Sequence, residues 1–120
     1  PMKGTFHFDE GFYYWRHLGD RILLGGARNK DFDGEQTLEM DGSTIIKNAL
    51  IDFLKTHLHP SIQFDIADTW SGIMGFTKDK KPYHGRTEQG YYLALACNGM
   101  GVALTPIIAE EIAKTVLQDF

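Results

Sequence analysis

The sequence predicts an α+β fold, in which an antiparallel β-sheet is accompanied by two amphipathic helices and the last helix follows a glycine-rich bend. Three observations predict it. Aromatic-rich segments alternate with turn residues near the N-terminus, and apolar residues at helical spacing occupy the middle of the chain. Near the C-terminus, a short apolar segment runs into glycines and then into a second helical pattern. No internal repeat or linker interrupts this order, so the 120 residues amount to one domain's worth of chain.

The N-terminal quarter of the chain carries the clearest strand signals. Aromatic residues cluster at 5–8 and 12–15, and an aliphatic run follows at 21–24. Turn-forming residues separate these runs at 9–11 and 18–20. The pattern therefore predicts a three-stranded β-meander.

The middle of the chain predicts a helix. Ser43 is a good N-cap residue and Pro60 cannot continue a helix, so the helix is expected to run from Ser43 to about Leu58. Apolar residues fall on one stripe at helical spacing, which predicts that one face is buried. These residues are Ile45, Ile46, Ala49, Leu50, Phe53, Leu54 and Leu58.

Two further strands are predicted after this helix. Ile62, Phe64 and Ile66 alternate with polar residues, which predicts a strand that continues toward Trp70. Residues 91–96 form a short apolar run, which is typical of a strand buried on both faces.

The strongest local signal is the segment from Ala96 to Val102, which reads Ala-Cys-Asn-Gly-Met-Gly-Val. Its glycines let the backbone approach a ligand closely. The helix predicted from about Val102 to Leu117 presents unpaired N–H groups and about half a positive charge at its start, which stabilise a phosphate, a carboxylate or the electron-rich edge of a heterocycle. Pro106 is expected in about the first turn. On this motif alone a plain strand-to-helix turn is favoured, because two glycines do not make a dinucleotide fingerprint.

Two other segments are candidates for binding. Residues 70–75, Trp-Ser-Gly-Ile-Met-Gly, suit either the wall of a flat pocket or a bent strand that packs on a core, and bent strands are commoner. On the predicted second strand, Tyr14 and Arg16 share one face, and Tyr13 and Trp15 share the other. One face is expected to be core. The other offers a hydroxyl and a guanidinium group to a small anionic substrate.

Composition argues against several classes of function. The chain has 16 acidic and 12 basic residues and a net charge of −4, which gives no electrostatic footprint for nucleic acid. No apolar run approaches the ~20 residues that span a bilayer. The single cysteine, Cys97, fits a reducing compartment and an inert buried thiol. His57 and His59 lack further ligands at zinc-like spacing. We therefore expect a cytoplasmic protein without a metal site.

The last third of the chain, taken in order, resembles a known enzyme family. Residues 68–86, and then 91–106 in register, resemble the C-terminal part of the FAD-dependent D-amino acid oxidase family, in which glycine oxidase and related deaminating oxidoreductases match best. Residues 12–16 and 25–28 look like the antiparallel substrate-domain sheet of that family. The resemblance covers nearly the whole chain and is most specific at 70–106.

The resemblance implies an FAD cofactor and the oxidation of an amine or amino acid, with hydride transfer from the substrate Cα to the flavin N5. It places the glycine bend and helix start against the pyrimidine edge of the isoalloxazine ring, where backbone donors stabilise the reduced flavin. The implied cofactor-binding residues are Gly72, Met74, Gly99, Met100, Gly101 and Val102. The candidate substrate-binding residues are Tyr14, Arg16, Arg28 and Met74.

One departure from the family pattern concerns the substrate. The position of Met74 is commonly an arginine that pairs with the substrate carboxylate, and methionine cannot form that bidentate pair. An α-amino acid substrate would therefore need Arg16, Arg28 or a residue outside these 120 to bind its carboxylate.

A second departure concerns the extent of the chain. The FAD fingerprint that opens enzymes of this family is absent, and the chain starts at Pro1 with Met2 inside. We interpret residues 4–90 as a substrate-domain-like sheet and helix, and residues 91–120 as a strand and helix that would complete a missing N-terminal FAD-binding domain.

The expected function is that of a C-terminal fragment of an FAD-dependent amine or amino acid oxidoreductase. Alone, such a fragment would bind FAD weakly or not at all and would have no turnover. The alternative is a non-catalytic interaction or regulatory module that retains the fold. In both cases, apolar surface left by the missing domain favours self-association.

Overall fold

The computed structural model describes residues 3–58, 60–61 and 63–119, and it confirms the α+β class. The described residues form two antiparallel sheets and two α-helices, and the last helix follows the glycine bend. The chain divides into two compact units, Pro1–Gly72 and Ile73–Phe120.

The first unit begins with the predicted β-meander. Its strands are β1 (Thr5–Phe8), β2 (Tyr13–Leu18) and β3 (Arg21–Gly26), in the order β1-β2-β3 with antiparallel pairing. Asp9 and Glu10 both have positive φ angles, 53° and 54°, in the tight turn between the first two strands. The meander is therefore confirmed.

The predicted middle helix is also confirmed. It comprises α1 (Thr44–Phe53) and a π-helical turn at Leu54–Leu58. Ser43 is the N-cap, as predicted, and its hydroxyl accepts a hydrogen bond from the amide of Ile46 at 3.4 Å. This bond satisfies one of the amides that the first turn of any helix leaves without a partner.

The core of the first unit lies between one face of the sheet and α1. Tyr13 and Phe53 are each only 5% exposed, and their rings stack with centroids 4.3 Å apart. Trp15 packs on the same phenylalanine, at 5.5 Å between ring centroids. Because Tyr13 and Trp15 occupy the core face, Tyr14 and Arg16 lie on the opposite, exposed face, as the period-2 pattern predicted.

The strand predicted from Ile62 toward Trp70 is wrong for the described residues. Ile62 itself lies outside them, and residues 63–76 have neither strand nor helix conformation. Alternating side chains indicate which residues share a face, but a strand also needs a partner for its backbone groups. The segment is instead attached through the Ser71 hydroxyl, which donates a hydrogen bond to the carbonyl of Met40.

The second unit contains a two-stranded sheet and the C-terminal helix. The elements are β4 (Tyr83–Arg86), β5 (Tyr92–Leu95) and α2 (Gly101–Gln118). The predicted second helix is thus confirmed, but β4 was not predicted. The prediction that residues 91–96 are buried on both faces is wrong, because Tyr91 is 68% exposed and Leu95 is 47% exposed. Among the described strands, β5 pairs with β4 alone.

Two smaller expectations in the second unit are also corrected. Pro106 is the sixth residue of α2 and so lies in its second turn, where it cannot donate to the carbonyl of Val102. The thiol of Cys97 was expected to be buried, but the residue is only half-buried, because it lies in the bend and not within a strand. Within the described ranges, no helix combines the length and hydropathy needed to cross a bilayer.

Candidate functional site

The bend between β5 and α2 has an unusual backbone. Ala96, Asn98 and Gly99 have positive φ angles of 59°, 54° and 79°. Glycine adopts such angles freely, but for a residue with a Cβ the left-handed conformation costs roughly 1–2 kcal/mol. Two such residues within three positions therefore need surrounding contacts that hold them in place.

Asn98 provides most of those contacts. Its side-chain oxygen accepts hydrogen bonds from the backbone amide of Thr77 at 2.8 Å and from the Thr77 hydroxyl at 3.3 Å. Its side-chain nitrogen donates to the carbonyl of Ala96 at 2.8 Å. Its backbone amide donates to the carbonyl of Gly75 at 3.2 Å. One half-buried residue thus fastens the bend to the segment that precedes β4.

The preceding segment approaches the bend too closely for larger residues. A Cβ added to Gly75 would lie 3.1 Å from the Cα of Ala96, which is tighter than ordinary packing. The sulfur of Met74 lies 3.8 Å from the position that a Cβ on Gly99 would occupy. Met74 therefore packs beside the bend while remaining 52% exposed.

The first turn of α2 presents two backbone donors. Among the described residues, the amides of Gly101 and Val102 donate to no other group, and no side chain caps this end of the helix. The amide of Met100, in contrast, donates to the carbonyl of Cys97 at 2.8 Å. The Val102 side chain is fully exposed. Two N–H groups without a partner among the described residues thus lie at the positive end of the helix dipole.

The predicted cofactor-binding residues fall in both units. The structure brings Met74, Gly99, Met100, Gly101 and Val102 together at the bend of the second unit. Gly72 is the last residue of the first unit, and a Cβ there would have no atom of the described residues within 4 Å.

Two of the predicted substrate-binding residues share the open face of the first sheet. Tyr14 is 49% exposed, and Arg16 is exposed two residues further along β2. Across the β1–β2 ladder, His7 pairs with Tyr14 and Thr5 pairs with Arg16. This open face therefore gathers a phenol, a guanidinium group, an imidazole and an aliphatic hydroxyl.

Arg28, the second arginine considered for the substrate, lies elsewhere. It begins a short 3-10 helix, Arg28–Lys30, that follows β3. Its guanidinium carbon lies 5.4 Å from the ring centroid of Phe12 and 5.9 Å from that of Phe32. At these distances a guanidinium group makes a cation–π contact with each ring.

The far end of α2 is fastened to the two-stranded sheet. The Tyr92 hydroxyl donates a hydrogen bond to the carboxylate of Asp119, and Arg86 pairs with the same carboxylate at 3.2 Å. The hydrogen bond to Asp119 is the largest cause that raises the pKa of Tyr92, followed by desolvation and by the negative charge of Asp119. About two turns earlier on the same helix, a carboxylate oxygen of Glu111 lies 3.4 Å from Nδ1 of His84.

A family model described as FAD dependent oxidoreductase matches residues 1–115 of the chain. The chain belongs to that family. No curated protein and no solved structure matches the chain significantly.

The donors at the bend fit a flavin, the cofactor that the family implies. The pyrimidine edge of a flavin is rich in hydrogen-bond acceptors and gains negative charge when the ring is reduced, so it suits backbone amides at a positive helix end. In the part of the chain that the structure describes, no cluster of three or more His, Cys, Asp or Glu residues could hold a metal ion.

From the sequence, the conformation of the bend was explained by its glycines alone, and the role of Asn98 was missed. An Asn-Gly pair is a known signal for positive φ angles, so the sequence did contain a hint. The partner, Thr77, is 21 residues away and leaves no local signal. Gly25 was likewise missed, although a Cβ there would collide with the ring of Tyr14.

Proposed function

We propose that the chain forms the C-terminal part of an FAD-dependent oxidoreductase of the D-amino acid oxidase and glycine oxidase type, and that the enzyme oxidises an amine or an amino acid. The observation that carries the proposal is the pair of unpartnered amides at Gly101 and Val102, presented by a bend that Asn98 fastens. Membership of the family supplies the identity of the cofactor.

In this proposal the backbone of the bend binds one edge of the flavin. The amides of Gly101 and Val102 would donate to acceptors on the pyrimidine edge, and the helix dipole would stabilise negative charge there. The bound flavin supplies the acceptor for the hydride that leaves the substrate carbon. Met74, beside Gly99 and half exposed, would pack an apolar side chain near that edge. Gly72, in the first unit, is a separate candidate for flavin contact because it carries no side chain.

The rest of FAD requires other polypeptide. The sequence contains no Gly-x-Gly-x-x-Gly segment, which is the usual binding site for the pyrophosphate of a dinucleotide. We therefore assign the adenosine diphosphate part of the cofactor to an N-terminal domain outside these 120 residues. The isolated chain is then expected to bind FAD weakly and to show no turnover.

Substrate recognition is assigned to the open face of the first sheet. Arg16 can pair with a carboxylate and Tyr14 can donate a hydrogen bond to it. Met74, in the second unit, is a separate candidate, and its side chain offers only dispersion contacts and a weak acceptor sulfur. Arg28 is held by two aromatic rings and is the weaker candidate of the two arginines.

Turnover assays on the FAD-loaded protein that contains this chain test the proposal. We expect oxidation of D-alanine or benzylamine with reduction of the bound flavin. Met74→Arg should raise kcat/KM for D-alanine relative to benzylamine, because it introduces a partner for the carboxylate. Met40→Arg is the matched control, since Met40 is also exposed, at 62%, and is not assigned to the site. A full-length protein that retains no flavin, or that oxidises neither amine, would contradict the proposal.

A further inference from the structure

We infer that Gly25 is a positioning residue for substrate binding: the space left by its missing Cβ is what allows the ring of Tyr14 to lie across β3 with its hydroxyl held on the open face of the sheet. This inference rests on the proposed function, in which Tyr14 contacts the substrate. It adds a residue that touches neither substrate nor cofactor.

The backbone does not explain why residue 25 is a glycine. Gly26, its neighbour, has a φ of 110°, and a Cβ there would overlap the carbonyl oxygen of Phe12, so position 26 requires glycine for two reasons. Gly25 is not among the residues with a positive φ. A glycine within a strand weakens it and often marks a place where another group approaches closely.

The group that approaches Gly25 is the ring of Tyr14. The two residues are direct partners in the β2–β3 ladder. A Cβ on Gly25 would lie 2.7 Å from Cε2 of the ring, 3.0 Å from Cζ and 3.1 Å from the hydroxyl oxygen. The ring therefore occupies the volume that any other residue would fill. Because the collision includes the hydroxyl end of the ring, a Cβ would displace the hydroxyl.

The surroundings of that hydroxyl suit a small carboxylate. Arg16 lies on the same face two residues along β2, and the imidazole of His7 lies 6.4 Å from the Tyr14 ring, between centroids. Among the described residues, the Tyr14 hydroxyl has no hydrogen-bond partner. A hydroxyl group and a guanidinium group on one face of a sheet can both donate hydrogen bonds to a carboxylate.

Calorimetric titration of the FAD-loaded protein with acetate, the smallest carboxylate probe, tests the inference. Gly25→Ala should raise the Kd for acetate about fivefold, the affinity carried by one hydrogen bond. Tyr14→Phe should raise it to a similar extent, and the double variant should bind no more weakly than either single variant. Gly42→Ala is the matched control, because Gly42 also lacks a positive φ and its added Cβ would meet Ser71 at an ordinary 3.7 Å.

Wild-type affinity for acetate in Gly25→Ala, or fully additive effects in the double variant, would overturn the inference. If Gly25→Ala does not fold, Gly25→Ala combined with Tyr14→Ala decides: restored folding supports the contact and continued failure overturns it. A second measurement needs neither flavin nor substrate. In the NMR spectrum of the chain, an α-proton of Gly25 should be shifted upfield by the Tyr14 ring. If the wild-type protein holds no flavin while this shift is present, the proposed function fails and the contact stands.

Discussion

The side-chain oxygen of Asn98 accepts a hydrogen bond from the backbone amide of Thr77 at 2.8 Å, across 21 residues of sequence. The same side chain donates to the carbonyl of Ala96, also at 2.8 Å. The side-chain amide of Asn98 thus links the backbone at Thr77 to the backbone at Ala96, in a bend that contains three positive φ angles. Because the free amides of α2 begin immediately after this bend, the direction in which they point depends on Asn98.

Replacing Asn98 should therefore destabilise the second unit. We predict that Asn98→Ala lowers the free energy of unfolding by about 2 kcal/mol, because the amide of Thr77 loses its acceptor and the alanine must keep a left-handed conformation. Asn48→Ala, on the exposed side of α1, is the matched control and should change stability by less than about 0.5 kcal/mol. Urea denaturation measures the stability of both variants. Equal unfolding midpoints would show that the side-chain hydrogen bonds of Asn98 do not stabilise the bend.

The core of the first unit depends on Phe53. We predict that Phe53→Ala lowers the free energy of unfolding by about 3–5 kcal/mol, because it removes a ring that stacks on Tyr13 and leaves a cavity. The control, Ile45→Ala, truncates a side chain of the same helix that is 55% exposed, and its effect should be much smaller. Thermal and urea denaturation report both differences. A small effect at Phe53 would mean that the sheet and α1 do not share this core.

A comparison of Gly26 with Gly19 separates two reasons why a position requires glycine, which are a positive φ angle and the close approach of another group. Both have positive φ angles, 110° and 65°, but only Gly26 faces a carbonyl oxygen, that of Phe12. We predict that Gly19→Ala costs roughly 1–2 kcal/mol of stability, the cost of the left-handed conformation alone. Gly26→Ala should cost clearly more, because the strand must also move. Comparable unfolding midpoints for the two variants would show that the close approach of Phe12 is absent.

The hydrogen bond between Tyr92 and Asp119 makes the free energy of unfolding depend on pH in the alkaline range. It raises the pKa of Tyr92 above the ordinary value of 10.0, with desolvation and the charge of Asp119 acting in the same direction. Because the folded-state pKa lies above the unfolded value, this contribution is present below pH ~10 and is lost as the pH rises through the raised pKa.

Melting curves of the wild type and Tyr92→Phe across this pH range measure the effect. The wild type should be the more stable protein at neutral pH, and its advantage should disappear at alkaline pH. A stability difference that does not change with pH would contradict the assignment.

Local patterns predicted those parts of the fold that depend on neighbouring residues. The spacing of apolar residues and the cap at Ser43 predicted α1. The period-2 pattern predicted that Tyr13 and Tyr14 lie on opposite faces of the sheet. The strand predicted around Phe64 failed because alternation cannot supply a pairing partner. Strand β4 was missed because Tyr83–Arg86 mixes polar residues with a glycine and becomes a strand only by pairing with β5.

Some features of the candidate site could be predicted from local sequence, and others could not. The glycine bend and the start of α2 were visible in the sequence, because glycines followed by a helical pattern are a local signal. The hydrogen bond between Thr77 and Asn98 joins residues 21 positions apart in the sequence. The contact between Tyr14 and Gly25 joins residues 11 positions apart. Only the folded chain brings these pairs together.

The start of α2 offers the most direct test of the proposed flavin contact. Gly101→Pro removes an amide N–H at the first helical position, the position at which proline is enriched in helices. Gly101→Ala keeps that N–H, and its Cβ would meet no atom closer than 3.6 Å. In the FAD-loaded protein, we predict that the two-electron reduction potential of the bound flavin is about 30–60 mV lower in Gly101→Pro than in Gly101→Ala, the equivalent of one hydrogen bond to a charged group. Equal potentials in the two variants would show that these amides do not face the flavin.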